Sequence, residues 1–535
     1  NYKMQLMRSF EENDSRAILY VYSFISGADW ADEVARLDRM SKITKQDVVE
    51  WANKYLGPES YAIIYKREGK DPDEQKIAAP KITPIVTNRD SQSEFLSEIQ
   101  TSQVQPIEPV FVDYKKDMSQ FEAQPGIDVL YKKNETNDIF TLIYVFNTGT
   151  ENDPALNLAF NYLSYLGTDK MTAEEIASEM YDIACSFYMN AGANQSSIQI
   201  TGLSENMGKA MEIVEGLIAG AKPDEAILEN CKADMLKSRA DAKLNQSRCF
   251  GALQRYLFYG GDFIRRTTLT DPALQALTSE QLLAKIGGLM GKQHEVLYYG
   301  PQKEAEVKSA LAEHHKVATD LQPLEKKFST LLPTDANKVV LAQYDAKQLY
   351  YLQFSNRGEK FDVAADPEIT LYNEYFGGGM NTIVFQEMRE ARGLAYTAWA
   401  TLATPSNANG DYSYYAFIAT QNDKMQKAVE AFDDIINNMP ESEKAFGIAK
   451  EALVSRLRTE RTVKDGVLWS YLRARDLGLD APRDKQIFEK VQSMTLDDVK
   501  AAQQKWVKGR KYVYGILGDI QDLDLNYLKT LGPIQ

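Results

Sequence analysis

Apolar and polar positions along this chain form a pattern that returns three times. A threonine followed by a polar first turn opens a helix, and a short apolar run then reads as a strand. Ile43-Thr44-Lys45-Gln46-Asp47-Val48 leads to YAIIY at Tyr61–Tyr65, and Leu277-Thr278-Ser279-Glu280-Gln281-Leu282 leads to EVLYYG at Glu295–Gly300. Met494-Thr495-Leu496-Asp497-Asp498-Val499 leads to YVYGILG at Tyr512–Gly518. The separation barely changes, from Thr44 to Tyr61, Thr278 to Val296 and Thr495 to Tyr512. Each Thr is an N-cap candidate with an acid or amide three residues on. Three units in one register are evidence of an internal repeat.

The starts of the units repeat too. VLYKKNETNDIFTLIYVFNTG, Val129 to Gly149, reads as two β-rich runs joined by a polar turn, and the spacing predicts a hairpin. VVLAQYDAKQLYYLQFSNRG, Val339 to Gly358, has the same layout. A helix follows each pair, reaching Gly167 in one copy and Gly377 in the other. Two full units therefore occupy 116–325 and 326–535, and residues 1–68 match only the end of such a unit. The Lys-, Pro-, Ser- and Gln-rich stretch 69–115 reads as a linker. Strands gathered into hairpins and alternating with amphipathic helices predict an α+β fold of repeated two-layer domains, a mixed or antiparallel sheet covered on one side by helices.

One segment departs from smooth periodicity. Asn373 to Ala400 reads NEYFGGGMNTIVFQEMREARGLAYTAWA. The Gly377-Gly378-Gly379 run precedes an amphipathic helix, Gly393 ends that helix, and an aromatic strand follows. Arg389 and Tyr396 flank the break. The glycine run lacks the G-x-x-x-x-G-K-[ST] layout of a phosphate loop, so it is read as room for a helix to approach a sheet.

Composition narrows the function. A chain of 535 residues exceeds one core, and no run approaches the roughly 18 apolar residues of a membrane span. A formal net charge of −15 argues against a nucleic-acid partner, and solubility accounts for it. Cys185, Cys231 and Cys249 form no CxxC pair and read as buried thiols. The N-x-S/T triplets at Asn13, Asn134, Asn194 and Asn245 arise readily by chance and carry no weight. The chain opens with Asn1, and its first residues read as the interior of a helical domain, as expected of a piece of something longer.

The repeat, together with GGGMNTIVFQEMREARGLAY, resembles the pitrilysin/insulinase family of zinc metallopeptidases, the inverzincins, whose domains are of the LuxS/MPP-like metallopeptidase type. The resemblance spans essentially the whole chain, strongest in the last unit. It implies four homologous α+β domains whose two halves close like a clamshell around a peptide. The family's zinc motif is H-x-x-E-H: two imidazoles one helical turn apart grip Zn²⁺, and the Glu is general base for the bound water. This chain holds three histidines, His294, His314 and His315, and none has that context. They are read as solvated structural residues, so no metal ligand and no catalytic residue is expected here. In the helix before Gly167, the motif's positions are taken by Leu158, Asn161 and Tyr162. Leu cannot ligate zinc and Asn is no proton acceptor at neutral pH, so the third unit reads as a non-catalytic copy.

The resemblance leaves the last unit a substrate role. In the family an Arg and a Tyr of the C-terminal half reach toward the zinc site, and the matching positions are Arg389 and Tyr396. A guanidinium and a phenol are donors suited to a peptide carbonyl and its developing oxyanion. The plainer alternative pairs Arg389 with Glu387 or Glu390 on a solvated helix and buries Tyr396, and Arg392 is the competing arginine. The implied function is the C-terminal, non-zinc-binding half of a zinc metalloendopeptidase, inactive alone. Its partners would be a peptide substrate and an N-terminal half that binds the Zn²⁺. An inactive structural homologue, or a non-catalytic subunit serving a separate catalytic chain, is the other reading, and retention of Arg389 with Tyr396 argues against a pure scaffold. A periplasmic or cell-envelope location is the expectation from bacterial relatives; no targeting segment is visible.

Overall fold

Thr44, Thr278 and Thr495 each cap a helix in the computed structural model, which describes residues 2–57, 59, 61–69 and 93–535. In each, the side chain three residues on (Asp47, Gln281, Asp498) accepts the Thr N–H, the capping box that satisfies a helix-start donor. The chain divides into two units, Tyr2–Ile107 and Glu108–Gln535.

The regular structure among the described residues of Tyr2–Ile107 is helical and includes Asn13–Ser26, Lys45–Tyr55 and Glu94–Thr101. The strand expected at Tyr61–Tyr65 does not form: Ile63 and Ile64 are 61% and 91% exposed. A strand needs a neighbour for its N–H and C=O groups, and no described residue of this unit supplies one. Of the expected linker, residues 70–92 lie outside the described residues.

Glu108–Gln535 holds two sheets. The first is built from β1 (Ser119–Gln124), β2 (Ile127–Lys133), β3 (Ile139–Phe146), β4 (Cys185–Ala191), β5 (Ser196–Leu203) and β6 (His294–Gly300). The second is built from β7 (Lys338–Gln343), β8 (Gln348–Lys360), β9 (Thr397–Ala403), β10 (Asp411–Gln421) and β11 (Val513–Gly518). Their orders are β1-β2-β6-β3-β5-β4 and β7-β11-β8-β10-β9. With β1 set aside the two topologies are identical, so the sequence repeat is a repeat of structure.

The hairpins expected at 129–149 and 339–358 are corrected by this order. The strands lie where predicted, but β6 inserts between β2 and β3, and β11 between β7 and β8. Both inserted strands are buried at every position. Such strands belong at a sheet's centre, covered on both faces, and that requirement outweighs a local turn signal.

The helices packed around the two sheets include α1 (Leu156–Leu163), α2 (Ala173–Asp182), α3 (Met207–Gly220), α4 (Gln246–Thr267), α5 (Ser279–Leu289), α6 (Glu304–His314), α7 (Asp366–Phe376), α8 (Met425–Asn437) and α9 (Gly466–Asp476). The first sheet packs α1, α3 and α5 over Tyr144, Ile198 and Val296, and the second packs α7 and α8 over Tyr351, Tyr414 and Ile516. Each repeat supplies its own sheet and helix layer, and the opposite face of each sheet is covered by a helix of the other repeat. Leu468 and Leu472 of α9, from the second repeat, cover Leu130, Ile143 and Leu297 of the first sheet. Leu253 and Leu257 of α4, from the first repeat, cover Leu352, Phe354 and Val513 of the second. Each repeat thus lends a helix to the other. A Cβ at Gly515 would stand 2.3 Å from Leu257 Cδ1, so this strand glycine is what lets α4 lie down. Each buried leucine at this seam adds roughly 1.5–3 kcal/mol. A bidentate Arg475–Glu295 pair bridges the repeats at its rim, and Lys326 pairs with Asp476 beside it.

Candidate functional site

The glycine run ends α7 where the helix meets the edge of the second sheet. A Cβ at Gly377 would stand 2.4 Å from the Ala400 carbonyl oxygen, and the Gly377 oxygen accepts the Ala400 N–H at 3.1 Å. One turn earlier the Asn373 amide both accepts the Leu402 N–H and donates to the Leu402 carbonyl, each at 2.9 Å. A glycine and an asparagine thereby occupy the outward hydrogen-bonding groups of edge strand β9. The approach function read for the glycine run is carried by Gly377.

The amphipathic helix expected next is one α-turn, Ile383–Phe385, followed by a π-helix, Gln386–Ala391. Such wide turns concentrate at functional sites. Met388 is fully buried and anchors the turn. Gly393, at φ +57°, lets the Leu394 N–H reach the Met388 carbonyl and redirects the chain into β9.

This geometry brings Arg389 and Tyr396 together. The guanidinium carbon lies 4.9 Å from the Tyr396 ring centroid and 5.0 Å from that of Phe385, and Nη1 donates to the Tyr396 carbonyl at 3.3 Å. Stacking of this kind orients a guanidinium while leaving its edge free for a ligand. Its contact with Glu390, Nε to Oε1 at 3.5 Å, is at the surface and weak. Tyr396 is 71% exposed rather than core, and its hydroxyl bonds to none of the described residues. Arg392 is committed elsewhere, to Glu387 at 3.3 Å and Asp434 at 3.1 Å. Hydrogen bonds from Asn438 and Arg392 hold the Asp434 carboxyl below the usual range. Phe385 was not among the sequence candidates; its place four residues before Arg389, on the same helical face, is the signal that could have found it.

The corresponding part of the first repeat is closed. Leu158 and Tyr162 on α1 are fully buried, while Asn161 faces solvent. The Tyr162 hydroxyl donates to Ser279 Oγ and accepts from the Asp224 N–H, both at 2.8 Å. The positions that the resemblance assigns to the zinc motif are taken by core packing and a satisfied phenol. These residues do not fit a metal, and no group of three or more His, Cys, Asp or Glu side chains among the described residues is placed to hold one.

The histidines are not the solvated residues the sequence suggested. His294 and His315 are 4% and 2% exposed, with their Nε2 atoms 2.9 Å apart. His294 Nδ1 sits 2.8 Å from the Lys292 carbonyl, and His315 Nδ1 sits 2.6 Å from Glu215 Oε1. Glu215 also accepts the Tyr144 hydroxyl at 2.9 Å and the Lys316 N–H at 2.6 Å. Burial, then the neighbouring His315, lowers the His294 pKa from 6.5 to about 4. Neutral His294 therefore contributes stability that is fully present above 6.5 and lost as pH falls toward about 4. Denaturant unfolding at a series of pH values should show this decline, and His294→Gln should flatten it. An unchanged acid limb in that variant would assign the decline to other groups.

An α+β sheet-and-helix unit is repeated with one topology, and Leu158 and Tyr162 stand where the resemblance would place zinc ligands. Comparison with known proteins shows what the chain is similar to. Residues 293–453 match the model described as the peptidase M16 inactive domain. An uncharacterized zinc protease of Rickettsia bellii is 23% identical over 312 residues, covering 56% of this chain and 70% of the relative. A second, of Streptomyces coelicolor, is 22% identical over 266 residues, covering 46% and 56%. Among solved structures, a peptidase M16 inactive domain from Pseudomonas fluorescens superposes with a TM-score of 0.60 at 18% identity, covering 75% of this chain and 98% of that one. The periplasmic protease PqqL from Escherichia coli gives 0.60 at 13% identity, covering 90% of this chain and 52% of its own. The chain thus spans about half the length of that protease. Over residues 293–453 the chain is thus similar to the inactive domain of the peptidase M16, or pitrilysin/insulinase, family, and its fold is like that of such a domain.

Proposed function

We propose that this chain is the substrate-contacting, non-zinc-binding half of a zinc metalloendopeptidase that encloses peptides between two halves. The observation that carries the reading is the Arg389–Tyr396 pair: a guanidinium bracketed by two rings beside an exposed, unbonded phenol, on a π-helical turn. Arg389 would hold a substrate carbonyl, and the Tyr396 hydroxyl would donate to the oxyanion that forms during attack. The zinc and the general base would come from an N-terminal half. Domain limits of 116–325 and 326–535 accord with the two sheets, and residues 1–68 are read as the end of a further unit. Exposed apolar side chains there, Phe24 and Ile64 among them, fit a helical layer whose sheet lies elsewhere. A periplasmic or cell-envelope location is part of the proposal; PqqL, of like fold, is described as periplasmic.

Mixing tests the reading. The purified chain with zinc should not cleave a fluorogenic peptide, and a separately produced half bearing H-x-x-E-H should be inactive or nearly so. Combined, they should cleave. Zinc-dependent cleavage by this chain alone would refute the assignment, and silence on mixing would favour the scaffold alternative.

A further inference from the structure

The two sheets have the same topology, yet their corresponding edge strands are treated differently. β9 is sealed by Asn373 and Gly377, and the far edge of that sheet, β7, is covered by the Pro533–Gln535 tail through Val339 and Leu341. In the first sheet, β1 is interrupted by a register shift between Glu122 and Gln124. β4 has no such device. The residue matching Asn373, four before the end-of-helix glycine, is Leu163, which is fully buried and has no amide to offer.

The register of β4 fixes which of its groups are spare. Gly192 donates to Gln195 and Leu203 to Ala184, so the pairs 192/195 and 184/203 are hydrogen-bonded pairs of the antiparallel ladder. Alternation then assigns the inward N–H and C=O to Ser186, Tyr188 and Asn190, and turns those of Phe187 and Met189 outward. Among the described residues, nothing bonds to these outward groups. Side chains alternate as well: Phe187 and Met189 lean on the helix layer, while Ser186, Tyr188 and Asn190 are exposed on the other face.

An open edge of this length is a template for another strand, and folded proteins normally blunt it. Its surroundings indicate the sign of the strand it takes. α2, which feeds β4, carries Glu174, Glu175, Glu179 and Asp182 and no basic residue; Glu179 pairs with Lys209 at 3.1 Å and Glu175 caps Thr172, which leaves Glu174 and Asp182. Asp182 and Glu205 lie near the start of β4, where Asn206 bonds the Ile183 carbonyl, and neither carboxylate has an ion-pair partner among the described residues. Tyr181 and Tyr188 are 65% and 64% exposed beside the edge. A second copy of this acidic edge would meet like charge.

We propose that the outer edge of β4 is a peptide-docking site that takes an extended, lysine- or arginine-rich segment as an added strand. Main-chain hydrogen bonds to Phe187 and Met189 supply affinity, and the carboxylates of Glu174, Asp182 and Glu205 select cationic side chains. Resting on the function proposed above, this site would hold a part of the substrate remote from Arg389 and Tyr396.

The assay needs only this chain and no catalytic half, so it stands apart from that reading. The probe is a fluorescein-labelled peptide of alternating Lys and Thr, roughly ten residues long, a typical strand length. Anisotropy should show saturable binding, about tenfold or more weaker for a Glu-Thr peptide. Hydrogen exchange should slow on binding at 185–191. Met189→Pro removes an N–H the fold does not use, so it should keep the melting temperature and lose about tenfold or more in affinity. If that variant does not fold, Phe187→Pro serves, and failure of both to fold would overturn the claim that these amides are spare. Equal binding by a folded proline variant, protection elsewhere, or a β4-dependent dimer that excludes the probe would also overturn the proposal.

Discussion

Arg389→Ala in the proposed two-half peptidase should lower kcat/KM by roughly a hundred- to a thousandfold, the range seen when one oxyanion donor is removed. The loss should fall mainly on kcat if the guanidinium strengthens its contact in the transition state, and on KM if it only holds the ground-state carbonyl. Tyr396→Phe should cost roughly tenfold, about the worth of one hydrogen bond made at the reacting centre. Because the guanidinium lies 4.9 Å from the Tyr396 ring centroid, the two losses should not add: Arg389→Ala also frees the ring, and the double variant should lose less than the product of the singles. Arg392→Ala is the control. Its guanidinium is engaged by Glu387 and Asp434, so peptide hydrolysis should change little. Equal kcat/KM for wild type and Arg389→Ala would remove the contact role.

Glu215→Ala should destabilise the Glu108–Gln535 unit by about 3–5 kcal/mol, the cost of stranding one partner of a buried pair. The carboxylate is 6% exposed and meets three donors: the Tyr144 hydroxyl, the His315 imidazole and the Lys316 N–H. Alanine leaves all three without an acceptor and opens space at the sheet. Glu215→Gln keeps one acceptor oxygen and should cost less. Guanidinium unfolding with an unchanged m-value would read both. A loss below about 1 kcal/mol for Glu215→Ala would mean that water replaces the carboxylate, and the network would then be a filled cavity rather than a tie.

The sequence made much of this legible through local chemistry. The capping boxes at Thr44, Thr278 and Thr495 formed as the Thr-x-x-Asp/Gln spacing implies, because a cap depends on three residues and no distant partner. The strands at 127–133, 139–146, 338–343 and 348–360 lie within a few residues of their predicted places, since runs of β-branched and aromatic residues mark strands locally. The candidate pair Arg389 and Tyr396 was visible as two residues across a glycine break. Three things were not visible. The π-helical turn depends on how Met388 is anchored in the core. The burial of His294 depends on the approach of His315 across the fold. The choice between Arg389 and Arg392 depends on Asp434, forty-two positions from Arg392.

By itself, then, the sequence determined the repeat, the helix starts, the apolar strands, the absence of H-x-x-E-H and the candidate pair Arg389 and Tyr396. These follow from neighbours within a turn or two, where spacing alone sets the chemistry. Only the tertiary structure decided that β6 inserts between β2 and β3 and β11 between β7 and β8, that α4 and α9 are exchanged between the sheets, and that YAIIY pairs with none of the described residues. It also decided that β9 is sealed while β4 is open. Those outcomes depend on which distant surface buries the most apolar area and satisfies the most backbone groups, a competition that no local window records.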